Sequence, residues 1–197
     1  LMLNTADTAV RDAGLKPGGR VGVIVAMGAE LAIHAYLGRC DLTWQIQSSL
    51  AEAGISLNPE QVSQLEAIAK DSLHDRAQVN QYTSFIGNIM AGRIAALWDF
   101  SGPAFTLSSG EASVPRALEI AQMLLHEGEV EAIIVGAVDL SAGIEHMLVQ
   151  SQRSPSNTGK HTLSYDRHVT GWTPGEGAGA VVLKRLDAAQ KDHDRIY

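Results

Sequence analysis

The chain has 197 residues, of which 45% are hydrophobic and 19% charged, enough apolar material to bury a core and to exclude a disordered tail. Its net charge of −7 disfavours a nucleic-acid binder, because such proteins neutralise phosphates with clustered Lys and Arg. No apolar run approaches the ~20 residues that span a bilayer, and the first residues lack the features of a signal peptide. We therefore expect a soluble, cytoplasmic protein with neither nucleic acid nor membrane as a partner.

The first two predicted elements are a helix and a buried strand. Apolar residues recur at helical spacing over 3–13, and Gly14 suits the left-handed position that follows a helix end. The unbroken apolar run over 21–26, rich in β-branched residues, predicts a strand that is buried on both faces. Residues 28–57 show no clear period, so we predict most of them to be loop.

The middle of the chain predicts two helices, followed by a βαβ unit. Asn58, Pro59 and Gln61 form a helix start signal, in which the Gln can bond back to the Asn cap, and this helix should reach about residue 77. A second helix over 84–98 has a face of small residues that another element can approach closely. The remaining predicted elements are strands over 104–109, 131–138 and 178–184 and helices over 113–127 and 143–150. The first two of these strands, joined by a helix, predict a parallel crossover.

Three glycines, Gly175, Gly177 and Gly179, look at first like a nucleotide-binding loop. Such a loop must follow a strand and open a helix whose N-terminus meets the phosphates. Here the apolar residues 180–183 follow, which predict a strand. We therefore expect no nucleotide and no other cofactor, and interpret the glycines as sites where backbone packs closely against a neighbouring loop or strand.

The turn between Ser109 and Ser113 is the most informative place for chemistry. A strand that passes abruptly into a helix points one side chain outward at the helix N-terminus, and here that side chain should be Glu111. A cysteine there would have its thiolate favoured by the helix dipole, and the same field favours an ionised carboxylate. From the residues alone, a purely structural role, in which Glu111 satisfies helix N-terminal donors, is the favoured interpretation.

Other candidate groups give weaker signals. No pair among the seven histidines has convincing metal-ligand spacing, so we expect no metal. The single cysteine, Cys40, cannot form an internal disulfide, and no base can be named beside it. The serines near the turn lack the Gly-x-Ser-x-Gly pattern of serine hydrolases.

Several segments, in matching order and spacing over nearly the whole chain, resemble the β-ketoacyl synthases. They are Gly87-Asn88-x-x-Ala91-x-Arg93-Ile94, Asp99-Phe100-x-Gly102-Pro103-x-x-Thr106, Ala117-Leu118, Val135-Gly136-Ala137-Val138, Tyr165-Asp166 and Gly171-Trp172-x-x-Gly175-Glu176-Gly177-Ala178-Gly179. Details over 31–34 and 38–45 look most like the multidomain polyunsaturated fatty acid synthases of bacteria. The resemblance implies an α/β, thiolase-like layered fold, a sheet between helices, of which residues 1–197 would be mainly the N-terminal half, with the His-bearing C-terminal half absent.

The resemblance also implies a nucleophile position. In that family a Cys at the strand-to-helix turn takes the acyl chain from an acyl carrier protein, and two His from the second half assist malonyl decarboxylation and condensation. The family turn reads roughly Thr-Ala-Cys-Ser, whereas this chain has Ser109-Gly110-Glu111-Ala112. Attack of Glu111 on a thioester would give a mixed anhydride that water destroys. Members with Gln at this position are chain-length factors or decarboxylating loading domains, but an ionised Glu would repel both a malonyl carboxylate and the developing enolate.

We therefore expect a noncatalytic, chain-length-factor-like partner of an active condensing domain in a polyunsaturated fatty acid or polyketide synthase. By the resemblance, its partners would be an acyl carrier protein and a condensing domain, in a homo- or heterodimer that the strand near 104–109 joins. Met90, Phe105 and Leu107 would be tunnel or interface surface, and the glycines over 175–179 would lie near the site.

Two alternatives stay open. The first is a malonyl decarboxylase, or an atypical 3-oxoacyl acyl-carrier-protein synthase, completed by histidines of the missing half. The second is a module that only docks carrier proteins, which an excess of acidic over basic residues disfavours.

Overall fold

The computed structural model describes residues 1–28, 32–73, 86–140, 143–160 and 166–197. The chain divides into two compact units: a sheet unit, Leu1–Ala29 with Gly87–Tyr197, and a second unit, Glu30–Ile86, which we name the two-helix unit after the two helices of its described residues. The helices are α1 Met2–Asp12, α2 Ala32–Glu52, α3 Pro59–Leu73, α4 Asn88–Leu97, α5 Ser113–His126, α6 Ile144–Arg153 and α7 Leu186–Lys191; the strands are β1 Val21–Met27, β2 Ala104–Leu107, β3 Ala132–Asp139 and β4 Gly177–Lys184. Within the described residues, no helix is long and apolar enough to cross a membrane.

The sheet unit is built on one mixed sheet with the strand order β2-β1-β3-β4. The central strand β1 pairs in parallel with both β2 and β3, while β4 runs antiparallel to β3. Residues 21–26 of β1 are all buried, which explains the unbroken apolar run of this segment. The prediction that a helix joins two parallel strands is confirmed, with β1 lying between them.

Helices cover both faces of this sheet. On one face, the buried side chains of α1 and α4 pack against alternate residues of β1; this cluster includes Val10, Ile94, Val23 and Val25. On the other face, α5 packs Ala117, Ala121 and Leu125 against Ile24 and Ile133. The two clusters use alternate residues of β1 because successive side chains of a strand point to opposite faces.

The end of α1 is the helix terminus that its sequence predicts. Gly14 has a φ of +66°, in the left-handed region that favours glycine. The Gly14 N–H donates to the Arg11 carbonyl and the Leu15 N–H to the Val10 carbonyl, each at 3.1 Å. These two bonds form a Schellman motif, and Leu15 packs against the buried cluster beside it.

Two glycines of the sheet unit are closely packed. A Cβ at Gly102 would lie 2.5 Å from the Val21 carbonyl oxygen, a backbone atom that cannot move aside cheaply. A Cβ at Gly136 would lie 2.5 Å from the terminal methyl carbon of Met2. Both glycines belong to segments that carry the family resemblance; close packing against backbone explains glycine at Gly102, whereas at Gly136 the end of the flexible Met2 side chain could move aside.

The two-helix unit corrects one prediction and confirms another. The sequence predicts mostly loop over residues 28–57, but α2 spans Ala32–Glu52. Its apolar residues follow no helical period, so the helix rests on propensity and on packing against α3 rather than on one apolar face. The start signal of α3 forms as predicted: the Gln61 N–H donates to Asn58 Oδ1 at 2.9 Å, and the Asn58 N–H donates to Gln61 Oε1 at 3.0 Å.

Other boundaries shift by a few residues. The strand predicted over 104–109 ends at Leu107, because the next residues form the turn into α5. The helix predicted over 143–150 continues to Arg153. Residues 74–77 and 84–85 of the predicted helices, and Tyr165 of the family motif, lie outside the described residues.

Candidate functional site

The candidate site is the turn that joins β2 to α5, residues 108–113. Gly110 has a φ of +58°, so a glycine suits this position. The buried Ser113 closes the turn: its hydroxyl accepts the Ser109 N–H at 2.9 Å and donates to the Gly110 carbonyl at 2.7 Å. The turn is therefore held by its own polar groups, and the buried serine anchors it to the first residue of α5.

Glu111 lies exposed in this turn, one residue before the helix N-cap Ala112. Alanine has no polar side chain to cap the first turn of the helix, and Pro115 removes one backbone donor from it. The exposed carboxylate lies just before the first turn of a 14-residue helix. Chemically, the turn presents a negative charge to solvent at the position where the family resemblance implies a thiol.

Asn88 and Thr106, which belong to the family segments but had no predicted role, hold β2 at its outer edge. The Thr106 N–H donates to Asn88 Oδ1 at 2.9 Å, and the Thr106 hydroxyl donates to the Gly87 carbonyl at 2.8 Å. The motif Gly87-Asn88 and the motif that ends at Thr106 therefore meet in space. Their common membership in the family pattern was the only signal in the sequence that could have pointed to this contact.

The three predicted tunnel or interface residues do not share one surface. Phe105 and Leu107 are half-buried on β2, opposite Ile24 and Ala26 of β1, and pack against the cluster beneath α5. Met90 of α4 packs against the cluster on the other face of the sheet. Phe105 and Leu107 are thus placed together near the turn, while Met90 is separated from them by the sheet.

Two of the predicted glycines, Gly177 and Gly179, lie at the same end of the sheet as the turn, where the parallel strands finish. Gly177 and Gly179 are paired with Asp139 and Ala137 at the carboxyl end of β3, and the turn follows the carboxyl end of the parallel strand β2. Because β1 and β3 lie between β2 and β4, three strand spacings, about 14 Å, separate the two outer strands. No described heavy atom lies within 4 Å of a Cβ built at Gly175, Gly177 or Gly179. The expected close packing is therefore not made by the described residues.

Close packing occurs instead at Gly171, where a Cβ would clash with the Pro155 carbonyl. The Trp172 indole N–H donates to the Ser154 carbonyl at 3.1 Å, and the Asn157 N–H donates to the Trp172 carbonyl at 2.8 Å. These bonds join residues 154–157 to Trp172. The motif Gly171-Trp172 therefore has a structural role in holding these two segments together.

Lys184 and Asp192, whose pKa values are shifted, lie at the opposite end of the sheet unit. Hydrogen bonds to Asp192 and Asp194 raise the pKa of Lys184, and the bond from Lys184 lowers the pKa of Asp192. Lys184 pairs with Ala132 at the start of β3, so about 23 Å of strand separates it from Gly177. We call Lys184, Asp192 and Asp194 the C-terminal clamp.

A cavity of about 790 Å³ lies beside this clamp, between α1, β4 and the last residues of the chain. Its lining includes Thr5, Thr8, Val182 and Tyr197, and it contains none of the predicted site residues. Within the described residues, no three His, Cys, Asp or Glu side chains cluster in a way that could hold a metal ion. The side chain of Cys40 lies outside the described part of the structure.

Comparison with known proteins identifies similar sequences. The family model "Beta-ketoacyl synthase, N-terminal domain" matches residues 1–189. A polyunsaturated fatty acid synthase chain of Thraustochytrium sp. is 34% identical over 100% of this chain, which covers 9% of that protein. A polyketide synthase, PksL of Bacillus subtilis, is 34% identical over 55% of this chain, which covers 2% of it. The chain thus spans less than a tenth of these relatives.

Solved structures give the same fold. The structure described as "PfaC Keto synthase-Chain length factor" is 48% identical, with a TM-score of 0.82 over 94% of this chain and 20% of its own. A type II polyketide synthase acyl-carrier protein in complex with its ketosynthase bound to the hexaketide is 20% identical, with a TM-score of 0.70 over 100% of this chain and 46% of the other. The predicted α/β, thiolase-like fold is confirmed.

Proposed function

Because the chain belongs to the β-ketoacyl synthase family, we propose that it is a noncatalytic, chain-length-factor-like partner of an active condensing domain. The assembly would be a polyunsaturated fatty acid or polyketide synthase, as in the relatives that it resembles. The observation that carries this proposal is Glu111, exposed on the turn where the family resemblance implies a cysteine. We also propose that residues 1–197 are the N-terminal half of such a domain, since the matching family model is that of the N-terminal domain.

The chemistry of a carboxylate supports a noncatalytic role. A mixed anhydride formed at Glu111 would be a high-energy acyl carrier, and at an exposed position water could hydrolyse it. The ionised group would also repel a malonyl carboxylate and the negative charge of the enolate that decarboxylation creates. Both the covalent and the decarboxylating steps of condensation are therefore disfavoured at this turn.

The proposed partners are an acyl carrier protein and a condensing domain, in a homo- or heterodimer. Strand β2 is at the end of the sheet order, so no other strand of the described sheet pairs with its outer edge, where Asn88 accepts the Thr106 N–H. Beside it, α5 exposes 40% of Val114 and 39% of Leu118. An end strand and partly exposed apolar side chains on the next helix are features of a surface that another domain can cover. Phe105 and Leu107 would then contribute to the wall of the partner's acyl tunnel.

The test is decarboxylation of a malonyl group carried on an acyl carrier protein, measured as released carbon dioxide. We expect the protein alone and Glu111→Ala to release it at the same background rate, and condensation to require an added Cys-containing condensing domain. Release by the protein that disappears in Glu111→Ala would overturn the noncatalytic proposal and support a decarboxylase. Glu119→Ala is the matched control, because Glu119 is an exposed carboxylate of α5, ion-paired with Arg116 and outside the turn.

A third variant tests the electrostatic reason directly. Glu111→Gln keeps the shape of the side chain and removes its charge, so malonyl repulsion is lost. If a neutral amide beside the malonyl carboxylate is what decarboxylation at this turn needs, Glu111→Gln should release more carbon dioxide than Glu111→Ala, which removes the charge without supplying an amide. Equal release from the two variants would show that an amide at this position does not promote the reaction.

A further inference from the structure

The strand that leads into the turn is short and is held on its outer side by a helix start. Strand β2 has four residues, and Thr106 is the third of them. On its inner side β2 pairs with β1. On its outer side, the Thr106 N–H bonds to Asn88 Oδ1 and its hydroxyl bonds to the Gly87 carbonyl. Asn88 Oδ1 thus accepts a hydrogen bond from a backbone N–H that could otherwise donate to a neighbouring strand.

The helix that supplies these bonds is itself firmly anchored. In α4, the side chains of Ala91 and Ile94 are fully buried or nearly so, at 0% and 1% exposure. They pack into the cluster that contains the central strand β1. Asn88 is the first residue of this helix, about one turn before Ala91 and two turns before Ile94. The position of Asn88 is therefore set by the core and not by solvent-exposed loops.

We propose that Asn88 and Thr106 are positioning residues for the turn that carries Glu111. Their bonds hold the end of β2 against the start of α4, which is anchored in the core. Ser113 holds the other side of the turn to α5. Without these two side-chain bonds, β2 would be paired on one side only, five residues before Glu111. The residue at position 111 would then lose its defined place beside the N-terminus of α5. This inference does not rest on the proposed function, because it concerns the turn's geometry and not its chemistry.

The test places a thiol reporter in the turn. In a Glu111→Cys protein, alkylation of residue 111 by iodoacetamide is measured from pH 5 to about 10 by the mass of the peptide that contains it. A thiol held beside a helix N-terminus should ionise below the ordinary thiol pKa of about 8.5. Adding Thr106→Val, which removes the hydroxyl at nearly constant shape, should slow alkylation near neutral pH by about three- to fivefold and shift the profile towards that of a free cysteine. Asn88→Ala should do the same.

Two further variants separate positioning from general damage. Thr106→Ser keeps the hydroxyl that donates to Gly87 and should restore the reporter's alkylation profile. Asn58→Ala breaks an Asn to backbone N–H bond of the same kind in the two-helix unit, and should leave the profile at position 111 unchanged. If Asn88→Ala does not fold, the alkylation profiles of Thr106→Val and Thr106→Ser are compared, and this comparison alone tests the proposal. The proposal is overturned if Thr106→Val leaves rate and profile as in the reporter protein, or if Thr106→Ser behaves like Thr106→Val.

Discussion

The sheet unit and the two-helix unit differ in how deeply they bury their apolar side chains. Every fully buried apolar side chain in the described part of the chain belongs to the sheet unit. In the two-helix unit, Leu42, Ile46, Val62 and Leu65 are only half-buried. Within the described residues, the sheet unit is therefore stabilised by core packing, whereas the two-helix unit depends more on its cap and on polar contacts such as that between Thr43 and Glu66.

The largest expected effect tests this difference directly. Ile24→Ala in β1 removes a fully buried side chain and leaves a cavity, so we expect it to lower the free energy of unfolding by about 4 kcal/mol. Ile46→Ala in α2 removes a half-buried side chain, with an expected loss of about 1 kcal/mol. Urea unfolding of both variants measures the two losses. Equal losses would mean that the two units are packed alike.

The second largest loss of stability is expected from a substitution at Gly102. The Cβ of Gly102→Ala would meet the Val21 carbonyl, so backbone must shift, and we expect a loss of about 3 kcal/mol. Gly92→Ala is the matched control, because this helical glycine of α4 is exposed and no described atom lies within 4 Å of its Cβ. That variant should be more stable than the parent by about 1 kcal/mol. A Gly102→Ala protein as stable as the parent would contradict the close approach of Gly102 to β1.

In the two-helix unit, removing the Asn58 cap of α3 should lower the free energy of unfolding by about 1 kcal/mol. Asn58→Ala leaves the Gln61 N–H without its side-chain acceptor and should fray the first turn of α3. Amide hydrogen exchange should therefore become faster at the start of α3 and stay unchanged in β1. Faster exchange in both places would show that the two units unfold together.

The smallest effect is expected at the C-terminal clamp, where polar contacts add to a unit that the core already stabilises. Lys184 Nζ lies 2.7 Å from Asp194 Oδ2 and 2.5 Å from Asp192 Oδ2. Because the pKa of Asp192 is lowered in the folded state, its stabilising effect is present above the unfolded pKa of about 3.9 and is lost as pH falls through the folded pKa. Because the pKa of Lys184 is raised, its effect is present below about 10.4 and is lost as pH rises through the folded pKa.

The clamp prediction is measured by thermal unfolding as a function of pH. Asp192→Asn should lower Tm slightly at neutral pH, and the difference from the parent should shrink below about pH 4 and above about pH 10. Glu119→Gln, which removes an exposed carboxylate paired with Arg116 on α5, away from the clamp, is the control. A Tm difference for Asp192→Asn that stays constant at acid pH would show that ionisation of Asp192 does not stabilise the clamp.

Local signals in the sequence predicted local structure well. The cap of α3 and the end of α1 depend on residues within a few positions of each other, and both form as the sequence indicates. The buried strand β1 was evident because a strand covered on both faces needs apolar residues throughout. Helix α2 was missed because its apolar residues follow no period, and tertiary packing on α3 cannot be seen in one segment alone.

The candidate site also has some features that local sequence predicts and others that depend on tertiary contacts. The sequence by itself determined that a strand meets a helix near residue 110 and that a carboxylate, not a thiol, occupies the outward position at Glu111. Only the tertiary structure decided that Met90 lies across the sheet from Phe105, and that Asn88 bonds to Thr106. The reason is physical: turns and caps depend on neighbours in the chain, whereas strand order and contacts between distant segments depend on how the whole sheet unit buries its apolar surface.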